Sequence, residues 1–113
     1  MMDVANLVGD KKKVIAKTTP NMVDTELYEL VTQDKHGASF SFNIMKIKPG
    51  GEVKRQSHSE QHAIYVISGK CRILLGDEWV DMEHGGYAYI PSYLDHSFTN
   101  AGTGPAEVLI LKL

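Results

Sequence analysis

The sequence has little of what would place a protein outside the cell or in a membrane. It holds one cysteine, Cys71, so no internal disulfide can form. No apolar run approaches the roughly 18 residues that a membrane-spanning helix needs. No positively charged stretch followed by an apolar run opens the chain, so neither secretion nor membrane insertion is expected, and a cytoplasmic location is. An excess of one charge is missing too. Fourteen acidic against 12 basic residues leave a formal charge of −2, which gives no general attraction to nucleic acid or anionic lipid. The only run of like charge, Lys11 to Lys13, reads as lysines guarding an edge strand. No DNA-binding segment stands out, and small molecules are the expected partners. Length is also short: 113 residues at 42% hydrophobic content fill one core and leave none for a second. Residues 1–113 are therefore expected to form one domain, with 1–10 set apart as an N-terminal arm. Within it, Met1 to Leu7 either pairs with a neighbouring subunit or frays.

Helical periodicity is nearly absent as well. In its place come short runs rich in Val, Ile, Tyr and Phe, expected as strands near Lys12 to Lys17, Thr25 to Val31, Phe40 to Lys48, His62 to Ser68, Lys70 to Leu75, Trp79 to Met82, Tyr87 to Ile90, His96 to Asn100 and Ala106 to Leu111. Turn chemistry separates them at Asp34 to Gly37, Pro49 to Gly51, Gly69, Gly76 to Asp77, Gly85 to Gly86 and Gly102 to Pro105. Many short strands at close spacing imply an all-β antiparallel barrel or sandwich, and closure or dimerisation would remove the edges they leave unpaired.

Chemistry concentrates in the histidines. From Gln56 the chain reads Gln-Ser-His-Ser-Glu-Gln-His, so Gln56, His58, Glu60 and His62 stand at even spacing. On an extended strand even spacing puts side chains on one face. Four polar groups directly before the apolar run Ala63 to Ile67 are costly to bury unless something satisfies them, and a metal ion does so. A lone histidine on a strand is more often a hydrogen-bonded structural residue than a ligand. The second segment shifts that balance: His96 opens another strand, which an antiparallel arrangement can bring across to the first group. Imidazole nitrogen suits Mn, Fe, Co, Ni, Cu or Zn, and the Gln56 amide oxygen offers a harder fourth ligand.

At these residues the chain resembles the cupin superfamily. The first motif of that family runs from glycine through five residues to His-x-His, then three or four residues to Glu, and six to glycine; Gly50, Gln56, His58, His62 and Gly69 keep that register. The second runs from glycine through five residues to proline, one to glycine, two to histidine and three to asparagine; Gly85, Pro91, Tyr93, His96 and Asn100 occupy those places. Three positions depart: Gln56 replaces a histidine, His62 the glutamate, and Tyr93 a glycine. The His62 change is similar to the small manganese-binding cupins that use four histidines. The resemblance implies a double-stranded β-helix, or jelly-roll barrel, a homodimer, and a divalent metal held by Gln56, His58, His62 and His96; Glu60, on the same face by parity, is the reserve ligand for Gln56.

It also favours Mn or Fe(II), while the affinity order makes Zn, Ni, Co or Cu alternative occupants. Four neutral ligands would leave the full charge of the ion and so favour anions; an octahedral ion would keep two positions for water, dioxygen or a chelating substrate. Glu60, if not a ligand, is the candidate general base. Met45 and Ile47 on the preceding strand, with Tyr93 and Phe98 flanking His96, are the candidate substrate contacts. Arg55 should point away from them by alternation, Cys71 should be a small buried residue, and His36 and His84 should be solvated. Three functional readings follow. One is a metal-dependent dioxygenase, lyase, decarboxylase or isomerase for a small anionic metabolite. Another is a non-catalytic module that binds or senses a sugar or small acid. The third is a metal-free epimerase or isomerase with His58 or His96 as base.

Overall fold

The computed structural model describes residues 3–113; Met1 and Met2 of the expected arm lie outside them. Eight strands follow one another: β1 (Met22–Val31), β2 (Ser41–Gln56), β3 (His62–Ser68), β4 (Lys70–Leu75), β5 (Glu78–Glu83), β6 (Tyr87–Ile90), β7 (His96–Thr99) and β8 (Ala106–Lys112). The only α-helix among the described residues is the single turn α1 (Gln33–His36), capped by the Thr32 side chain and ended by Gly37 in the left-handed region. The strands hydrogen-bond in the order β5-β4-β7-β2-β8-β3-β6, with β1 also on β2, and every ladder is antiparallel. The result is the nearly closed jelly-roll barrel that the strand spacing implies.

Period-two alternation builds the interior. Ala106, Val108 and Ile110 of β8 face inward against Ile64 and Val66 of β3 and Met45 and Ile47 of β2, and Ile73, Met82, Ile90 and Phe98 complete the core. The long strand β2 is the spine of the barrel. Its first half pairs with β8 and its second with β7, so one strand runs through both halves of the fold. The bend between them falls at Pro49 to Gly51, a stretch whose composition suggests a turn that ends the strand; the chain turns there and the strand continues to Gln56. Gly50 has φ +80°, and a Cβ on Gly51 would meet the Asp24 carbonyl oxygen at 2.6 Å, so close approach of β1 requires glycine there.

The expected strand over Lys12 to Lys17 is replaced by a 3-10 turn at Lys11–Lys13, whose first turn is capped by the Asp10 side chain, and only Lys17 makes a bridge, to Leu27. Three consecutive lysines offer no face to bury. Lys11 instead lies over the Tyr28 ring at 4.3 Å and 3.7 Å from Glu107, which holds this segment against the outside of the barrel. No helix among the described residues is long and apolar enough to cross a membrane.

Candidate metal centre

His62 stands at the head of the inward row His62, Ile64, Val66 of β3, and is buried. His96 opens β7, paired with Gln56 at the end of β2 on one side and Leu75 of β4 on the other, and is 1% exposed. His58 lies in the loop between β2 and β3. That loop is held in place by the backbone of Tyr93, whose N–H donates to the His58 carbonyl at 2.7 Å and whose carbonyl accepts from the Ser57 hydroxyl at 2.8 Å. Tyr93 reaches both with φ +65°, in the place where the related motif carries glycine. The three rings meet at centroid distances of 4.7, 4.8 and 5.3 Å, and their closest ligand atoms lie within 4.8 Å of one another. Two ligands on one ion can stand no further apart than twice a typical metal–imidazole distance of about 2.1 Å, so a slight closing of the rings suffices.

The hydrogen bonds around His58 and His96 settle the tautomers of these two rings. His96 Nδ1 lies 2.8 Å from the Leu94 carbonyl and His58 Nδ1 lies 3.0 Å from the Glu60 carbonyl. A carbonyl can only accept, so each Nδ1 carries the proton and each Nε2 keeps its lone pair. Backbone carbonyls orient metal-binding histidines in this way. His96 Nε2 and both nitrogens of His62 are buried with no hydrogen-bond partner among the described residues. Burial, with His58 and His96 nearby, pushes the His62 pKa down to about 3; burial also lowers that of His96. Buried imidazole nitrogens without partners, clustered with a third imidazole within 4.8 Å, are expensive to leave unsatisfied, and a cation fits them. The residues present therefore suit a divalent ion.

The cluster opens into a cavity of about 230 Å³. Met22, Leu27, Met45, Val53, Phe98 and Ile110 form its apolar wall, and Lys17, Glu29 and Lys112 are among its polar residues. Gln56 lines it too, and its Oε1 accepts from Asn21 Nδ2 at 3.0 Å, while Thr19 donates in turn to Asn21. Glu60 lies between two cavity residues, 3.7 Å from His58 Nδ1 and 3.9 Å from Lys112 Nζ, and its carboxyl is held below the usual range chiefly by its own backbone N–H. Of the residues expected at the substrate, Met45 and Phe98 line the cavity, Ile47 is fully buried in the core behind it, and Tyr93 is largely exposed beside the His58 loop.

Arg55 points outward and clamps Asp95 through Nε and Nη2 at 3.0 and 2.7 Å, tying the end of β2 to the residue before His96. Cys71 is buried, and burial raises its thiol pKa to about 11. His36 and His84 lie outside the cluster: His36 closes α1, its Nδ1 accepting from the Thr32 N–H, and His84 is exposed before Gly85. A larger recess of about 500 Å³ between residues 5–14 and β1 lies away from the three histidines.

Sequence reasoning found the histidines by an argument that the structure revises. Residues 57–61 are not strand, so alternation on one face does not bring Gln56, His58 and His62 together. His58, His62 and His96 meet because β2 ends beside β7, β3 begins inside the barrel, and a loop carries His58 between β2 and β3; Gln56 lines the same cavity as His58 and His62. Thr19, Asn21 and Asn43 are cavity residues that sequence reasoning missed. The first two lie in an irregular segment with no periodicity to read. Asn43 did leave a signal, as a polar residue at the inward parity of β2.

Among solved structures the chain is similar to a predicted oxalate decarboxylase from Thermotoga maritima, with 21% identity, 94% of this chain and 97% of that one covered, and a TM-score of 0.85. It is similar also to the polyketide cyclase RemF from Streptomyces resistomycificus, at 22% identity over 99% of this chain and 79% of that one, TM-score 0.84. A third is the cupin domain of Cnp3 from Schizosaccharomyces pombe, at 14% identity over 89% and 69% of the two chains, TM-score 0.75. Identities this low carry the fold alone. No curated protein sequence matches the chain. The cupin domain model matches residues 43–112, which hold seven of the eight strands almost entire and all three clustered histidines, and the chain belongs to that family.

Proposed function

We propose that this cupin is a metal-dependent enzyme acting on a small anionic metabolite, with Gln56 joining His58, His62 and His96 as fourth ligand. One observation carries the reading: three imidazoles, two of them buried and two with tautomers fixed by backbone carbonyls, cluster beside a cavity of about 230 Å³. Mn or Fe(II) is the proposed ion. A bound divalent ion supplies Lewis acidity, stabilising negative charge on a substrate oxygen and lowering the pKa of an ionisable proton.

The protein's own residues do the rest. A neutral ligand set would leave the charge of a bound ion undiminished, and Lys112 adds positive charge among the lining residues, so the site would favour an anion. Met45 and Phe98 are the proposed substrate contacts; with Val53 and Ile110 they exclude water and strengthen each polar contact. Ile47 backs that wall, and Tyr93 fixes the loop carrying His58. Glu60 is the proposed proton acceptor: its carboxylate stays ionised and sits between His58 and Lys112. The names of the similar proteins, an oxalate decarboxylase and a polyketide cyclase, supply reaction classes to test first.

The wider proposal is one cytoplasmic domain over residues 1–113, acting as a homodimer. Exposed Tyr65, Tyr87 and Tyr89 on the outer face of β3 and β6, with β6 the last strand of the sheet, support self-association, and the single free cysteine suits a reducing compartment.

Metal analysis of protein purified without an affinity tag tests the reading. About one equivalent per chain is expected, falling to a trace in His58→Ala and in His96→Ala. Unchanged metal content in both variants would refute it. Aerobic and anaerobic incubation of the Mn(II) and Fe(II) forms with hydroxy acids, diketones and catechols then separates enzyme from binder, since a sensing module forms no product and consumes no oxygen.

A further inference from the structure

Asn43 interrupts an apolar row. Along β2, Asn43, Met45 and Ile47 alternate toward the interior, and the partner of Asn43 on β8 is Ile110. Asn43 is 4% exposed, yet lines the same cavity as His58 and His62. Its Nδ2 donates to the Ser41 hydroxyl at 3.2 Å, while its Oδ1 is buried with no partner among the described residues. Apart from the histidines, the other polar side chains of the cavity are engaged. Lys17 pairs with Glu29 at 3.4 Å, Thr19, Asn21 and Gln56 form a chain, and Lys112 faces Glu60. Leucine, nearly the same size, would fill the Asn43 position without an orphaned amide. A buried amide left half satisfied in an otherwise apolar row breaks a local rule, and such breaks are expected at functional positions.

We infer that Asn43 is a specificity residue, and that the cavity takes a short hydroxylated 2-oxo or 2-hydroxy acid whose acid end meets the metal and whose hydroxyl meets the Asn43 amide. The inference rests on the metal-dependent reading above and adds the substrate class. A hydroxyl both donates and accepts, so it satisfies the amide whichever of its ends faces the cavity. Size restricts the class further. At roughly 30 Å³ per water-sized group, a cavity of about 230 Å³ holds a ligand of the order of eight non-hydrogen atoms. That is a three- to five-carbon acid.

The test is calorimetric titration of the Mn(II)-loaded protein with matched acids: pyruvate against hydroxypyruvate, and the four- and five-carbon 2-oxo acids with and without a terminal hydroxyl. At least one hydroxylated acid is expected to bind roughly tenfold more tightly than its partner. In Asn43→Leu the two should bind alike, with Mn(II) affinity unchanged and a melting temperature equal to or above that of the wild type. Asn43→Ser, the second variant, should fold and lose most of the preference. A preference that survives in Asn43→Leu overturns the inference, as does a wild type that holds Mn(II) but shows no hydroxyl preference or binds none of the acids. A melting temperature that falls in Asn43→Leu, whether or not it falls in Asn43→Ser, assigns Asn43 to structure and overturns it also. Failure to bind Mn(II) would remove this inference and the metal-dependent reading together; each of the other contrary results leaves the metal site standing.

Discussion

The middle of the barrel and its histidine end are built from the same strands to opposite standards. In the middle, Ile47, Val66, Ile73 and Val108 are wholly buried among apolar neighbours. A few residues along the same strands, β3 offers His62, β7 offers His96 and β2 offers Asn43, and between them these carry all four buried side-chain atoms without a partner among the described residues. The first region stabilises the fold. The second sets burial cost against a cation and a ligand, and the barrel must be closed and rigid elsewhere to hold it together.

Substitutions in the two regions should therefore move stability in opposite directions. The largest effect is expected from Ile73→Ala, which leaves a void at a fully buried site and should destabilise the metal-free chain by about 3 kcal/mol in urea unfolding. His62→Leu should do the reverse. Removing two orphaned nitrogens should raise the stability of the metal-free chain by about 1 kcal/mol or more while abolishing metal binding. Equal destabilisation by both variants would erase the distinction between the regions.

Acid should sharpen the same contrast. His62 has a folded pKa of about 3 against 6.5 for the free side chain, so below pH 6.5 the unfolded chain takes up a proton that the folded chain refuses. Stability present above that pH is lost as pH falls toward the folded value, and His96, shifted the same way, adds to the loss. Urea midpoints of the metal-free wild type should drop between about pH 7.5 and about pH 5, and His62→Leu should flatten the drop. The smallest effect belongs to the rim. Lys112 is partly exposed, and Lys112→Met should weaken binding of a small anion only a few-fold, the more so at low salt, with little change in unfolding.

How much of this was legible in the sequence depends on what each residue's neighbours do. β3, β4 and β6 run from His62 to Ser68, Lys70 to Leu75 and Tyr87 to Ile90, the limits their alternation and flanking glycines imply, because each is a short strand with one buried face. β2 was cut short at Pro49 because a proline and two glycines usually end a strand; here they bend it around the barrel, which only its two partners, β8 and β7, reveal. Lys12 to Lys17 misled in the other direction, since its apolar part is only Val14 to Ala16 and the lysines before it form a 3-10 turn in place of a strand.

The three histidines were legible through the register of two motifs. That His96 would come across to the first group was legible too; the route was not, because it depends on the pairing of Gln56 with His96 and on a loop whose conformation is held by the Tyr93 backbone, contacts between residues some 35 to 40 positions apart that local spacing does not encode. The polar chain from Thr19 to Gln56 was invisible for the same reason.

The most direct test of the metal site is anomalous scattering at the manganese edge from crystals soaked in Mn(II). A single peak within coordination distance of His58 Nε2, His96 Nε2 and one ring nitrogen of His62, lost in His96→Ala, is the expected result. A peak elsewhere, or density in which the three imidazoles turn away from a shared point, would contradict it.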